Sequence, residues 1–425
     1  MFGQILTRFQ FRLINFQCQR SARGGRRKTD QAEAPKSSSI KADDQSNKSI
    51  KPKATALLDE AVTDYLKVET AETQDPWSSP PYPPNAVNAP EREQSRLSIR
   101  PAIDPRETSI FLFPGQGAQY VGMAKDLVEY PNVADMFHRA SGILGYDLLK
   151  LCMEGPIEEL NRTVYCQPAI FVTSLACVEK AKVKQPVAVR SCIAAAGFSV
   201  GEIAALVFAD AFSFEAGLRF IKVRAELMQQ ASEQEPSGLM SLFVRADSKL
   251  HEAMADAIAH MKSNGHPQPV CQIANYLFTQ VKVIGGHDMA LQFIEDHASD
   301  YNLRCKRLPV SGAFHTPLMR SAFETLKEEL KNMKIVQPLI PVHSNVDGRI
   351  YRSPDMIRRH LPKQVVSPVR WEQIMHILYT RKEGQRFPDT FEMGPGRQLG
   401  VMLKKTNAKA AQFYVSYDVS NENPY

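Results

Sequence analysis

Residues 197–201 read Gly-Phe-Ser-Val-Gly, the spacing GxSxG. At a strand-to-helix turn this spacing lets two glycines press against neighbouring backbone while the serine hydroxyl projects free, which is how an acyl-accepting nucleophile is presented. The context agrees. The run 192–199, CIAAAGFS, reads as a strand entering a sharp turn, EIAALVF at 202–208 reads as a helix, and the first amides of that helix favour negative charge near Ser199. A plain structural turn is the competing reading. A serine nucleophile also needs a base, sought downstream in this chain order. His315, in SGAFHTPLM, directly precedes Thr316 and Pro317, an N-cap and first-turn pair that would hold an imidazole at a helix entrance. His138, His251, His260 and His376 fall on expected helices, and His343, at an expected strand end, is the rival base. The oxyanion of an acyl-transfer intermediate needs two backbone donors. One is the amide of Val200, and the other is sought in the Gly-rich loop FPGQGAQ at 113–119. With no GK[ST] after it and no GxGxxG spacing, that loop is not a Walker or dinucleotide phosphate loop.

These groups have to be carried by a scaffold. SIFLF at 109–113 reads as a short buried strand followed by a turn and a helix, and the 192–208 region repeats the order. Strands alternating with helices imply an α/β protein with a largely parallel sheet and helices on both faces. The rhythm changes between Leu239 and Val310: strand LMSLFV, helix at about 247–263, strands VCQIAN and QVKVIG, helix at about 288–299, strand LRCKRLPV. That βαββαβ order is the ferredoxin-like split motif, so a small subdomain (238–310) is expected inside a larger one (108–237 and 311–425). The cleft between them is the natural ligand site.

The 425 residues carry 52 basic and 46 acidic side chains, a net charge of +6. Residues 1–29 hold seven of the basic groups and no acidic one, which leaves 45 basic against 46 acidic in the remainder. The excess is therefore local, and the folded part has no electrostatic footprint for nucleic acid. The acid-poor leader MFGQILTRFQFRLINFQCQR mixes Arg with Phe, Leu and Ile, as a mitochondrial transit peptide does, with a basic disordered tail or surface-binding helix as the competing reading. Residues 30–107 form a polar connector with eight prolines from Pro76 to Pro105, expected to be largely unstructured apart from one helix at 54–69. Seven scattered cysteines without a CxxC pair fit a reducing compartment. Neither HxxxH nor HExxH occurs, so no metal site is expected, and the most apolar stretch, 194–212, is interrupted by Glu202 and Asp210, so no membrane span is expected either.

FPGQGAQ, Cys166-Gln167-Pro168-Ala169, GFSVGE, VRAELMQ, GAFH and EMGPG follow one another across nearly the whole of residues 109–400. In this the chain resembles the malonyl-CoA:acyl carrier protein transacylases, most closely in their mitochondrial form. The resemblance implies an α/β-hydrolase-like parallel-sheet core with an inserted ferredoxin-like subdomain. It assigns Ser199 as nucleophile, His315 as base and the Gln116 and Val200 amides as oxyanion donors. The backbone carbonyl of Gln364, ahead of Ser367-Pro368-Val369-Arg370-Trp371, would orient the histidine, with no acidic triad member. Arg224 would grip the free carboxylate of a malonyl group and Gln167 would line the same pocket. Read from the residues alone, Arg224 in the amphipathic run VRAELMQQA is better taken as an exposed helix arginine. The resemblance further implies malonyl-CoA as donor, the phosphopantetheine thiol of acyl carrier protein as acceptor, no bound cofactor, and a place in type II fatty acid synthesis in the mitochondrial matrix. Phe198 departs from the histidine that many relatives carry before the serine, which removes any polar role there. The tetrapeptide GAFH (312–315) resembles the version associated with malonyl extender units. Arg358, Arg359, Lys404 and Lys405 are the candidates for meeting an acidic carrier protein. The same nucleophile would also serve a thioester hydrolase, and a non-catalytic scaffold would need none of it.

Overall fold

The structure, a computed structural model, describes residues 108–381 and 384–418. The leader at 1–29, the connector at 30–107 and its helix at 54–69 lie outside the described residues.

Five consecutive buried residues make Ser109–Phe113 (β1) a central strand, because both of its faces are apolar: Phe111 and Phe113 enter one core, Ile110 and Leu112 the other. It pairs in parallel with Cys192–Gly197 (β2) on one side and Asp389–Glu392 (β8) on the other. Val342–His343 (β7) and Tyr414–Ser416 (β9) complete a five-stranded parallel sheet of order β7-β2-β1-β8-β9. The first core is closed by Thr163–Lys184 (α1), Val200–Phe208 (α2) and Phe214–Gln234 (α3), and the second by Trp371–Tyr379 (α6) and Gln398–Thr406 (α7).

Between α3 and His315 the chain builds a second sheet, antiparallel, from Ser237–Phe243 (β3), Cys271–Phe278 (β4), Val281–His287 (β5) and Arg304–Arg307 (β6), in the order β4-β5-β3-β6. With Leu250–Ser263 (α4) after β3 and Asp288–Asp296 (α5) after β5, the order along the chain is βαββαβ. The helices cover one face, where Met240, Leu242 and Ile284 meet Leu250, Ala257 and Leu291. Some boundaries differ from those expected. α4 begins at Leu250 because the Arg245 N–H donates to Ser248 Oγ at 2.9 Å, forming a turn before the helix. β6 ends at Arg307, short of Pro309, which has no N–H to give a ladder.

β4 is irregular on one side and bridged on the other. Its register to β5 passes from Ile273↔Ile284 to Asn275↔Val283, leaving Ala274 unpaired as a bulge. On its other side, Tyr276 N–H donates to Val369 O and Val369 N–H donates to Ala274 O, both at 2.9 Å. The segment leading into α6 is thereby paired to the small sheet as a one-residue parallel bridge.

Candidate active site

β2 delivers Ser199 at its carboxyl end. The residue sits at φ 53° and ψ −110°, a backbone state costly for a side chain with a Cβ, and α2 starts at the next residue. The turn is this tight because its flanking glycines are in backbone contact. A Cβ on Gly197 would lie 1.9 Å from the Gly201 carbonyl carbon, and one on Gly201 would lie 2.2 Å from Phe113 O. Asn345, two residues after β7, pins the turn: Ser199 N–H donates to its Oδ1 at 2.7 Å, and its Nδ2 donates to Gly197 O at 2.7 Å.

His315 approaches from the other side, at φ 64°, just before a 3₁₀ turn at Pro317–Met319. Thr316 Oγ1 accepts from Leu318 N–H at 3.3 Å and so caps that turn. The ring is fixed at both nitrogens. Nδ1 faces Gln364 O at 2.8 Å and Nε2 faces Ser199 Oγ at 2.9 Å. A carbonyl can only accept, so the proton of the neutral ring is on Nδ1 and Nε2 is free to accept the Ser199 hydroxyl proton. His343, the rival base, is absorbed elsewhere: its Nδ1 donates to Gly348 O at 2.8 Å.

Arg224, on α3, is 1% exposed, which removes the reading as a surface arginine. Its Nη1 donates to Gln167 Oε1 at 2.5 Å, and its Nη2 donates to Gln364 Oε1 at 2.7 Å and to Ser199 Oγ at 3.1 Å. Its Nε is buried without a hydrogen-bond partner. The guanidinium is therefore held on neutral acceptors, one of which is the candidate nucleophile.

Ser199 and His315 open on a cavity of about 330 Å³. It is lined by the 114–119 loop and Phe198, by Leu239, Asn275 and Val283 of the antiparallel sheet, and by Leu399 and Met402 of α7. Phe198 meets Trp371 edge to face at 5.6 Å, an apolar contact.

A model of the acyl transferase domain matches residues 110–385. The human mitochondrial malonyl-CoA-acyl carrier protein transacylase is 52% identical over 316 residues, covering 74% of this chain and 81% of that protein. A probable mitochondrial malonyl-CoA-acyl carrier protein transacylase of Drosophila melanogaster is 51% identical over 314 residues, 74% of this chain and 83% of its own. The chain belongs to the malonyl-CoA-acyl carrier protein transacylase family. Among solved structures, the Coxiella burnetii malonyl CoA-acyl carrier protein transacylase superposes with a TM-score of 0.66 at 29% identity, covering 74% of this chain and 95% of that one.

In this transacylase-family chain the electrostatics of the site follow from burial. Burial first, and the nearby Arg224 cation second, push the His315 imidazole down to about 4, so it is neutral at physiological pH, with Nε2 able to accept a proton. Burial also lowers Arg224 to about 10, opposed by Glu202. Glu202 itself is lifted to about 7 by burial, against the pull of Tyr351, Gln364 and Asn345, which all donate to it. The amides of Gln116 and Val200 donate to no other described residue, and Gln116 anchors its loop by donating from Nε2 to Thr163 Oγ1 at 3.2 Å.

The structure brings Ser199, His315, Gln364, Arg224 and Gln167 into one hydrogen-bonded set, with the Gln116 loop across the cavity. Gln364 does more than its carbonyl alone suggests, since its side chain joins Arg224 to Glu202 and its Nε2 donates to Ser199 O at 3.0 Å. Asn345, Glu202 and Tyr351 were missed by sequence reasoning. Glu202 lay in view in GFSVGE, but its partners are 143 or more positions away. Of the surface candidates, Arg358 is engaged with Leu330 O, Met333 O and Asp355, whereas Lys404 and Lys405 are exposed at the end of α7.

Among the described residues, Glu235, His266 and His287 form the one cluster of metal-ligand type. Val270 N–H donates to His287 Nδ1 at 3.0 Å, which leaves the ring proton on Nε2, where it faces Glu235 Oε2 at 2.6 Å. That is a hydrogen-bonded pair whose histidine has no lone pair left for a metal.

Proposed function

We propose that this protein transfers the malonyl group of malonyl-CoA to the phosphopantetheine thiol of acyl carrier protein through a malonyl ester on Ser199. His315 Nε2 takes the Ser199 proton as Oγ attacks the thioester carbonyl. The tetrahedral oxyanion is held by the Gln116 and Val200 amides, and its collapse breaks the C–S bond. The His315 proton goes to the departing thiolate. The carrier-protein thiol then attacks the ester, giving its proton to His315, and Ser199 is released with that proton. Gln364 O keeps the imidazole in the tautomer both steps need. No helix among the described residues is long and apolar enough to cross a membrane. The protein works in the mitochondrion, and we place it in the matrix, supplying extender units to type II fatty acid synthesis.

The observation that carries the choice of acyl group is Arg224 Nη2 at 3.1 Å from Ser199 Oγ, in a buried site whose other acceptors are neutral. A malonyl carboxylate can displace Gln167 and Gln364 from the guanidinium and form two charge-assisted bonds, which acetyl cannot do. Incubation with malonyl-CoA followed by peptide mapping tests the reading: the label is expected on Ser199. Label elsewhere, or malonate released as fast with carrier protein absent as present, would overturn it.

A further inference from the structure

Asn275 is a polar cavity residue that takes no part in the acyl-transfer steps. Asn275 is 5% exposed, lines the cavity with Ser199 and His315, and its Oδ1 is buried without a hydrogen-bond partner. Leaving a buried acceptor without a partner is costly, so such a group in a native site calls for a function. The backbone is arranged to place it there. In a regular strand Ile273 and Asn275, two positions apart, would share a face. Ile273 is in the core under α4 and α5, and the bulge at Ala274 reverses the alternation, so that Asn275 stands opposite Val283, a cavity-lining residue. The main-chain bonds of Ala274 and Tyr276 to Val369 then hold Asn275 from both sides. A second cavity-lining amide, Gln398, also has its Oε1 and Nε2 buried without partners.

Resting on the acyl-transfer reading, we propose that Asn275 is a binding residue for the secondary amides of the pantetheine arm, its Oδ1 accepting an amide N–H, with Gln398 supplying a further amide contact. The residues beside them, Leu239, Val283, Leu399 and Met402, are apolar, so in this part of the cavity Asn275 and Gln398 are the groups an arm carrying amide bonds would meet. The site belongs to the arm and not to the acyl group. It therefore serves coenzyme A and the carrier-protein prosthetic group alike, since both bring the same arm past it.

The test compares two donors on the full chain: malonyl-CoA, and the S-ethyl thioester of malonate, which has the same acyl group and no amide. Asn275→Leu keeps the side-chain size and removes the acceptor. The ratio of kcat/KM for malonyl-CoA to that for the S-ethyl thioester is expected to fall about tenfold in this variant, from the loss of a single hydrogen bond to a buried group. Should Asn275→Leu not fold, Asn275→Ser, too short to reach, is measured with the same expectation. An unchanged ratio, whether both rates hold or both fall together, would overturn the inference. Failure of the native protein to acylate Ser199 with either donor would instead overturn the acyl-transfer reading, and the inference with it.

Discussion

The two sheets divide the work unequally. The parallel sheet spends conformational regularity at the carboxyl end of β2, where Ser199 has a positive φ and Gly197 and Gly201 are in backbone contact; His315, on the chain returning from the small sheet, has a positive φ as well. The antiparallel sheet keeps a regular ladder except in β4, and contributes a wall. Parallel strands release their chains at one edge, where loops from separate strands converge, so reacting groups gather there. An antiparallel sheet turns its edges into hairpins and offers a face. The chemistry and the shape of the cavity are thus separable, and substitutions should show it.

The largest effect is expected at the strained edge. His315→Ala should slow acylation of Ser199 by about 10⁴-fold or more, read by mass spectrometry of the malonylated protein, with melting temperature little changed. Next comes Arg224→Ala, for which the preference for malonyl-CoA over acetyl-CoA should fall by about 10²- to 10³-fold in competing-substrate assays, as the buried carboxylate loses its partner. In the other sheet the balance reverses. Leu291→Ala, in the core between α5 and the small sheet, should cost about 2–4 kcal/mol in denaturant unfolding while kcat at low temperature stays within about twofold. A pH profile sharpens the contrast further. Because His315 must be neutral to accept a proton and its pKa is depressed to about 4, kcat/KM should hold from pH 7 down to about 5 and fall through pH 4. The smallest effect is at the rim: charge reversal at Lys404 and Lys405 should raise KM for acyl carrier protein several-fold and leave malonyl-CoA kinetics unchanged.

What could be read in the sequence was what is local. The strand, turn and helix around Ser199, the Thr316-Pro317 cap beside His315 and the βαββαβ rhythm each depend on residues within a few positions of one another. The part that escaped is long-range. Asn345 bonds to Ser199 across 146 positions, and nothing about HSN announces it. Glu202 reads as one polar position in an apolar helix until Tyr351 and Gln364 are brought to it. The burial of Arg224 was equally hidden, since VRAELMQQA suits an exposed helix face until α1 and Gln364 close over it. The bulge at Ala274 has no proline or glycine to mark it, and it becomes visible only with β5 on one side and Val369 on the other.

The bridge between β4 and Val369 has a mechanical meaning. Gln364, whose carbonyl steers His315, and Val369, which is fastened to Ala274 and Tyr276, are five residues apart on one short segment. One wall of the cavity and the support of the imidazole are therefore carried on one short stretch of chain. A displacement of the small sheet is therefore expected to disturb the imidazole beside the serine hydroxyl, because both hang on the same few residues of chain.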